Sequence, residues 1–261
     1  MDSILDFILN NYIVFLIIFI RISGIFVISP VLSRTDIPMQ AKVALCFFIS
    51  IIVVYTVDIN YQVDITIARL IYVIFKELLV GITIGFISYL FFISVYIAGQ
   101  IIDMQIGFGM MNVFDPQSNS QVPITGSMYH IFALLVFLMI NGHHWLIKAI
   151  IHSYEVVPIG SFIINDEIIK LILRTFSQSF LIGFKISTPV VATIFLTNVL
   201  LGIFAKTIPQ MNVFVVGMPL KIIIGLGTLL IMFPVFFTVL QNIFGNMNSV
   251  IFELFKLVGK G

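Results

Sequence analysis

The sequence predicts an all-α integral membrane protein with no soluble domain. Three observations predict it. First, 60% of the 261 residues are hydrophobic and only 10% are charged, against roughly 25% charged in a typical soluble domain. Thirteen Lys plus Arg and twelve Asp plus Glu cannot form a polar skin, so lipid or other membrane proteins must cover the outside. Second, charge-free apolar runs reach bilayer length, which is roughly 20 residues for a helix: Leu78 to Ile102, Ile186 to Ala205 and Ile222 to Phe252. Third, the period-2 alternation of a β-barrel is missing.

About six hydrophobic segments follow one another, spanning roughly 7–31, 40–57, 67–102, 124–157, 168–205 and 221–244. Turn chemistry separates them. Ser29-Pro30 and Ile37-Pro38 end the first, and Asp58-Ile59-Asn60 ends the second. Gly107, Gly109, Asp115-Pro116 and Asn119 lie between the third and fourth. Val157-Pro158-Ile159-Gly160 follows the fourth, and Ile208-Pro209-Gln210 follows the fifth. The start, Met1-Asp2-Ser3-Ile4-Leu5-Asp6, is acidic and has neither the basic region nor the small-residue cleavage site of a secretory signal. The first hydrophobic segment is therefore expected to be retained.

Lys and Arg in the connecting loops should set orientation. One set of loops holds Arg34, Lys42, Lys206 and Lys221, the other Arg69, Lys76, Lys170, Arg174, Lys256 and Lys260. That split is too even to choose a side, so topology is weakly encoded or the segments do not all span singly. A net charge of +1 without a basic cluster gives no footprint for nucleic acid. Cys46 is the sole cysteine, which excludes an intrachain disulfide and favours packing in its apolar run.

Enzyme signatures are missing: no His-Glu-x-x-His, no Gly-x-Ser-x-Gly and no Gly-rich phosphate loop. Neither catalytic residues nor a cofactor is expected. His144, Lys148 and His152 would share a helical face, with Glu155 the nearest carboxylate. No full ligand set completes a metal site there, and an interfacial belt around Trp145 and Tyr154 is the plainer reading. Charges within apolar segments are costly and face protein or a water-filled cavity. Lys76 and Glu77 open the third segment and Lys185 lies within the fifth. Lys76 and Glu77 are adjacent, point different ways and need separate partners. Such groups serve either an ion relay or structural pairing between helices.

Small residues mark close helix approach. Gly81, Gly85 and Ser88 form one stripe at i, i+4 and i+7, and Ala98-Gly99 and Gly225-Leu226-Gly227 offer similar notches. The stretch Met104 to Pro123 holds two glycines, an Asp-Pro and a polar tail, so it cannot be one straight helix. It is too apolar for an ordinary solvent loop. Non-helical backbone at membrane depth is tolerated only in protein or along a cavity. Phe108, Met110, Met111 and Phe114 on pliable backbone suit a deformable plug, since methionine fills irregular gaps and apolar constrictions gate by dewetting. A re-entrant turn that merely packs two helices remains the alternative from composition.

Three ordered motifs carry a resemblance. They are Lys76-Glu77-x-x-x-Gly81-x-x-x-Gly85-Phe86, then Ala98-Gly99 through Gln105-x-Gly107 to Asp115-Pro116, then Pro209-Gln210-Met211-Asn212-Val213-Phe214 with Gly217-x-Pro219-Leu220-Lys221 and Gly225. With Arg21-x-x-Gly24 and Pro30, they resemble the FliR family of the flagellar type III export gate over nearly the whole chain. Asn141-Gly142-His143 departs from the Gly-Gly-His expected there.

The resemblance implies a non-enzymatic, channel-forming subunit in the bacterial cytoplasmic membrane at the flagellar basal body. It implies kinked helical segments packed as hairpins in a hetero-oligomeric helical assembly with FliP-like and FliQ-like subunits. FlhB-like and FlhA-like proteins would associate with that assembly, and unfolded flagellar proteins would be its substrates. Residues 1–175 would form a FliP-like part, and 176–261 a FliQ-like helical hairpin plus C-terminal tail. The resemblance also implies that Ile106 to Val122, with Gly107, Phe108, Gly109, Met110, Met111, Phe114, Asp115 and Pro116, forms a plug loop. Pro209, Gln210, Asn212, Phe214 and Pro219 would meet a partner. Two other readings stand beside it: a small-solute or ion transporter, motivated by Lys185, Glu77 and the broken helices, and the equivalent subunit of a virulence injectisome.

Overall fold

The structure is a computed structural model that describes residues 2–31, 33, 37–57, 66–108, 123–210 and 212–259. Among the described residues the fold is all-helical. Seven helices follow in order: α1 (Asp2–Ile28), α2 (Met39–Thr56), α3 (Ile67–Ile106), α4 (Ile124–Met139), α5 (Gly142–Val156), α6 (Asp166–Thr207) and α7 (Val213–Val258). Five are long and apolar enough to cross a membrane, or six if α4 and α5 together make one span. The protein is therefore membrane-embedded.

Local chemistry sets the helix ends. Pro38 and Pro123 stand at the N-caps of α2 and α4, where a missing N–H costs the helix nothing. At α6, Asn165 Oδ1 accepts from Ile168 N at 2.9 Å. Asp166 and Glu167 occupy the first turn and Lys206 the last, each favourable to the helix dipole. α3 stops at Gly107, whose φ of +100° is the left-handed conformation in which helices commonly end.

Two expectations change. The fourth segment, expected as one run over 124–157, is two helices broken at Ile140-Asn141. Asn141 has φ +57°, a conformation that only glycine and, among the rest, chiefly Asn and Asp tolerate. The replacement of the expected glycine by Asn is mild for that reason. The sixth segment is much longer than 221–244, because α7 starts at Val213, ahead of Pro219, and continues to Val258, with Pro219 and Pro234 inside it. Membrane helices tolerate such prolines where the freed carbonyls find other partners.

The chain forms two compact units. The first comprises residues 1–90, 141–175 and 244–261. Its core gathers Ile18, Ile22 and Ile25 of α1, Ile84 of α3, Ile150 of α5 and Phe244, Met247 and Ile251 of α7. Phe15 and Phe47 meet edge-on at 5.4 Å and join α1 to α2. Cys46 is buried in this unit. The second unit comprises residues 91–140 and 176–243. Its core gathers Phe92, Ala98 and Ile102 of α3, Ala133 and Phe137 of α4, Val190 and Ile194 of α6 and Phe236 and Leu240 of α7. Rings join α4 to α7, with Tyr129 stacked on Phe236 at 4.2 Å and Phe132 beside Phe233 at 4.7 Å.

Candidate functional site

In the first unit, the charges flagged at the start of α3 belong to one buried network. Glu77 is fully buried, and its partner is Arg21 of α1, also fully buried. Arg21 Nε donates to Glu77 Oε2 at 2.6 Å. One Nη donates to the Ser153 carbonyl at 3.0 Å and its hydroxyl at 3.1 Å, and the other to the Val157 carbonyl at 2.9 Å. The guanidinium lies 3.9 Å from the Tyr154 ring centre, and Tyr154 Oη donates to the Ile18 carbonyl at 3.1 Å. Every nitrogen of the guanidinium is engaged, the condition under which a buried charge is tolerated.

Glu77 and its neighbour Lys76 meet a common turn. Gly160 N donates to Glu77 Oε1 at 2.9 Å, and Lys76 Nζ donates to the Gly160 carbonyl at 3.0 Å. Lys76 also sits 4.6 Å over the Tyr72 ring. The two residues do point different ways, yet they hold the two polar groups of a single glycine, which has φ +76°. The network thus fastens α1, α3, α5 and the turn after α5, which is structural pairing. Sequence reading named Arg21 only within the Arg21-x-x-Gly24 motif and Tyr154 only in an interfacial belt, and joined neither to Glu77. A lone cation in the first apolar run was the available signal for Arg21. Tyr154 departs from the interfacial belt because its ring is buried against that cation. His152 Nδ1 lies 2.7 Å from Glu155 Oε2 in a half-exposed pair on α5. No group of three metal-ligating side chains occurs among the described residues.

The glycine stripe of α3 faces α1 in the same unit. A Cβ on Gly81 would lie 2.1 Å from the Arg21 carbonyl oxygen, and one on Gly24 would lie 2.9 Å from the Leu78 carbonyl oxygen. At Gly85 the nearest atom would be the Ile25 carbonyl oxygen at 3.2 Å. Ser88 is buried and donates to the Ile84 carbonyl at 3.0 Å.

In the second unit, the two ends of the segment between α3 and α4 are tied together. Asp103, on the last turn of α3, accepts from Thr125 N at 3.0 and 3.1 Å with its two oxygens, and from Gly126 N at 3.4 Å. A carboxylate from α3 thus caps α4 from outside its own chain segment, satisfying N–H groups that a helix start leaves open. Ala98 is fully buried. A Cβ on Gly99 would fall 2.3 Å from the Gly126 Cα, so only glycine permits this approach. Gly225 abuts Ile106, 2.6 Å from where its Cβ would be. Of the expected plug residues, Gly107 closes α3, and Phe108 follows it directly. Gly109, Met110, Met111, Phe114, Asp115 and Pro116 lie outside the described residues.

Lys185 is exposed on α6. Pro209, Gln210, Asn212, Phe214 and Pro219 are exposed around the start of α7. Asn212 Oδ1 accepts from Phe214 N at 3.1 Å and Val215 N at 3.3 Å, which accounts for Asn212 as a helix cap.

Residues 12–247 match the family of bacterial export proteins, family 1. Over 262 aligned residues the chain is 37% identical to the flagellar biosynthetic protein FliR of Bacillus subtilis (strain 168), covering 99% of each chain. It is 32% identical to FliR of Aquifex aeolicus (strain VF5), over 92% of each chain. It is 26% identical to FliR of Escherichia coli (strain K12), over 90% of each.

Proposed function

The chain belongs to the bacterial export proteins, family 1, and we propose that it is a non-enzymatic, channel-forming subunit of a flagellar type III export gate. Its full-length likeness to flagellar biosynthetic proteins is the observation that carries the reading. The exposed surface supports it. Large apolar side chains stand exposed along α2 and α6, among them Phe48, Tyr55, Leu181 and Phe195. Surface of that kind needs lipid or neighbouring helices to cover it.

In this reading the chain sits in the bacterial cytoplasmic membrane at the flagellar basal body. It assembles with FliP-like and FliQ-like subunits, and FlhB-like and FlhA-like proteins associate with the assembly. Residues 1–175 form the FliP-like part, and residues 176–261 form the FliQ-like hairpin and tail. Pro209, Gln210, Phe214 and Pro219 meet a partner. Unfolded flagellar proteins are the substrates.

Ile106 to Val122 acts as the plug. Its apolar side chains, Met110 and Met111 foremost, exclude water from the channel and yield to a passing chain because methionine adopts many shapes. The rigid base is supplied by Asp103, whose carboxylate holds Thr125 and Gly126 next to the end of α3. A plug needs this combination of a fixed base and a deformable tip.

Deletion of the gene tests the reading. Loss of flagellar filaments and of flagellar protein export is expected, with restoration by the wild-type gene. Unchanged flagellar assembly would overturn the reading. Intact flagella with a defect in another secretion pathway would move the chain to an injectisome.

A further inference from the structure

Within the second unit α6 and α7 run antiparallel. A Cβ on Gly217 of α7 would lie 3.1 Å from Leu201 Cδ1 of α6, and one on Gly225 would lie 3.6 Å from Ile194 Cδ1. Between these two contacts α7 advances by eight residues while α6 recedes by seven. The same pace sets Leu230 beside Pro189 and Pro234 beside Lys185. A cleft of about 160 Å³ agrees, since Lys185 and Ile186 of α6 line it together with Met232, Val235 and Phe236 of α7.

Each helix loses a rung of its ladder at that level. Pro189 has no N–H for the Lys185 carbonyl, and Pro234 has none for the Leu230 carbonyl. On α6, hydroxyls gather beside the gap. Ser187 Oγ and Thr188 Oγ1 both donate to the Phe184 carbonyl, at 2.9 and 2.8 Å, and Thr193 Oγ1 donates to the Pro189 carbonyl at 2.7 Å. Side-chain bonds to the preceding turn bend helices, and sharp kinks sit at prolines. A single gap would bend one helix against a stiff neighbour. Two gaps at one level let both helices bend together, and the cleft beside them supplies room that a close-packed interior otherwise denies.

The hairpin differs on the two sides of this level. Away from its turn it is fixed to the rest of the unit. A Cβ on Gly183 would lie 2.9 Å from the Ser94 carbonyl oxygen of α3, and Phe236 stacks on Tyr129 of α4 at 4.2 Å. Toward the turn, Phe195, Leu200 and Phe204 of α6 and Ile223 and Leu226 of α7 stand exposed. This arm meets α3 where Gly225 abuts Ile106.

We propose that the α6–α7 hairpin carries a hinge at the level of Pro189 and Pro234, about which its arm, residues 190–229, bends as one piece. Bending re-aims the exposed apolar side chains of the arm at their neighbours in the membrane. It also shifts Gly225 against Ile106, the last residue of α3. The hinge is a property of the fold and stands whether or not the export-gate reading does.

Spin-label distances in the purified full-length chain test the hinge. Cys46→Ala removes the native thiol. Met128→Cys labels α4 and Phe204→Cys labels the arm, at positions that are exposed. Phe204 lies fifteen residues beyond Pro189, about 22 Å along a helix, so a bend of about 20° carries it about 8 Å. With both prolines present, the distance distribution should spread over about that range. Pro189→Ala with Pro234→Ala returns both N–H donors and should narrow the spread by roughly half. Pro219→Ala, near the turn, should leave it as broad as before. Amide exchange of the unlabelled chain gives a second reading. The two alanines should slow exchange over residues 186–193 and 231–238 by roughly tenfold or more. A distribution already as narrow with the prolines as without them, equal narrowing by Pro219→Ala, or exchange unchanged by the two alanines would each overturn the hinge.

Discussion

Arg21 and Glu77 lie 2.6 Å apart, Nε to Oε2, with neither side chain exposed. Removing one member leaves the other as an uncompensated buried charge, which destabilises by about 3–5 kcal/mol. Arg21→Met and Glu77→Gln should each cut the yield of folded, detergent-soluble protein sharply. The double variant should lose less than the sum of the two. It will not return to wild type, because the Ser153 and Val157 carbonyls would still lack the donors that Arg21 supplies. Fluorescence-detected size exclusion of a tagged chain reads both effects. Strict additivity would mean that the pair does not act as a unit.

The α1–α3 seam predicts a graded glycine series. Gly81→Ala places its methyl 2.1 Å from a backbone oxygen of Arg21, so the helices must separate. Overpacking of this kind destabilises by about 1–3 kcal/mol. Gly85→Leu should also wedge the seam and weaken assembly. Gly227→Ala meets nothing within 4 Å and should be neutral or stabilising by up to about 1 kcal/mol through helix propensity. Thermal midpoints in one detergent provide the comparison. Equal tolerance at positions 81 and 227 would sink the close-approach argument.

Asp103→Ala should release the start of α4. Loss of a capping acceptor is worth about 0.5–2 kcal/mol, enough to raise hydrogen exchange at the amides of Thr125 and Gly126 by severalfold. Asp103→Asn keeps one acceptor oxygen and should fall between. Exchange measured on peptides covering residues 123–130 checks this. Wild-type protection in Asp103→Ala would remove the cap from the account of the loop's base.

Replacing both Met110 and Met111 by Gly should loosen the seal proposed for the plug. Assembled complexes in planar bilayers should then pass ions that wild type excludes. Conductance no greater than wild type would end the gasket role.

The membrane class and the order of segments were legible because run length and charge are one-dimensional properties. Helix limits were less so. The sixth segment reads as 221–244, yet α7 begins at Val213, passes through Pro219 and Pro234 and runs on to Val258. The break at Asn141 left no strong mark, because one residue with φ +57° sits amid continuous hydrophobicity. The glycines facing α1 were visible as a stripe, but the facing helix was not. Glu77 was recognisable as needing a partner, whereas Arg21 is 56 positions away and only packing brings them together. Asp103 drew no notice because a cap donated from a neighbouring helix has no fixed spacing.

Co-purification tests the central claim most directly. The C-terminally tagged chain would be extracted from native membranes in mild detergent, and the recovered membrane proteins identified by mass spectrometry. The account predicts FliP-like and FliQ-like subunits in stable stoichiometry with the chain. A chain recovered alone, or only with copies of itself, and able to drive saturable solute uptake in liposomes would contradict it.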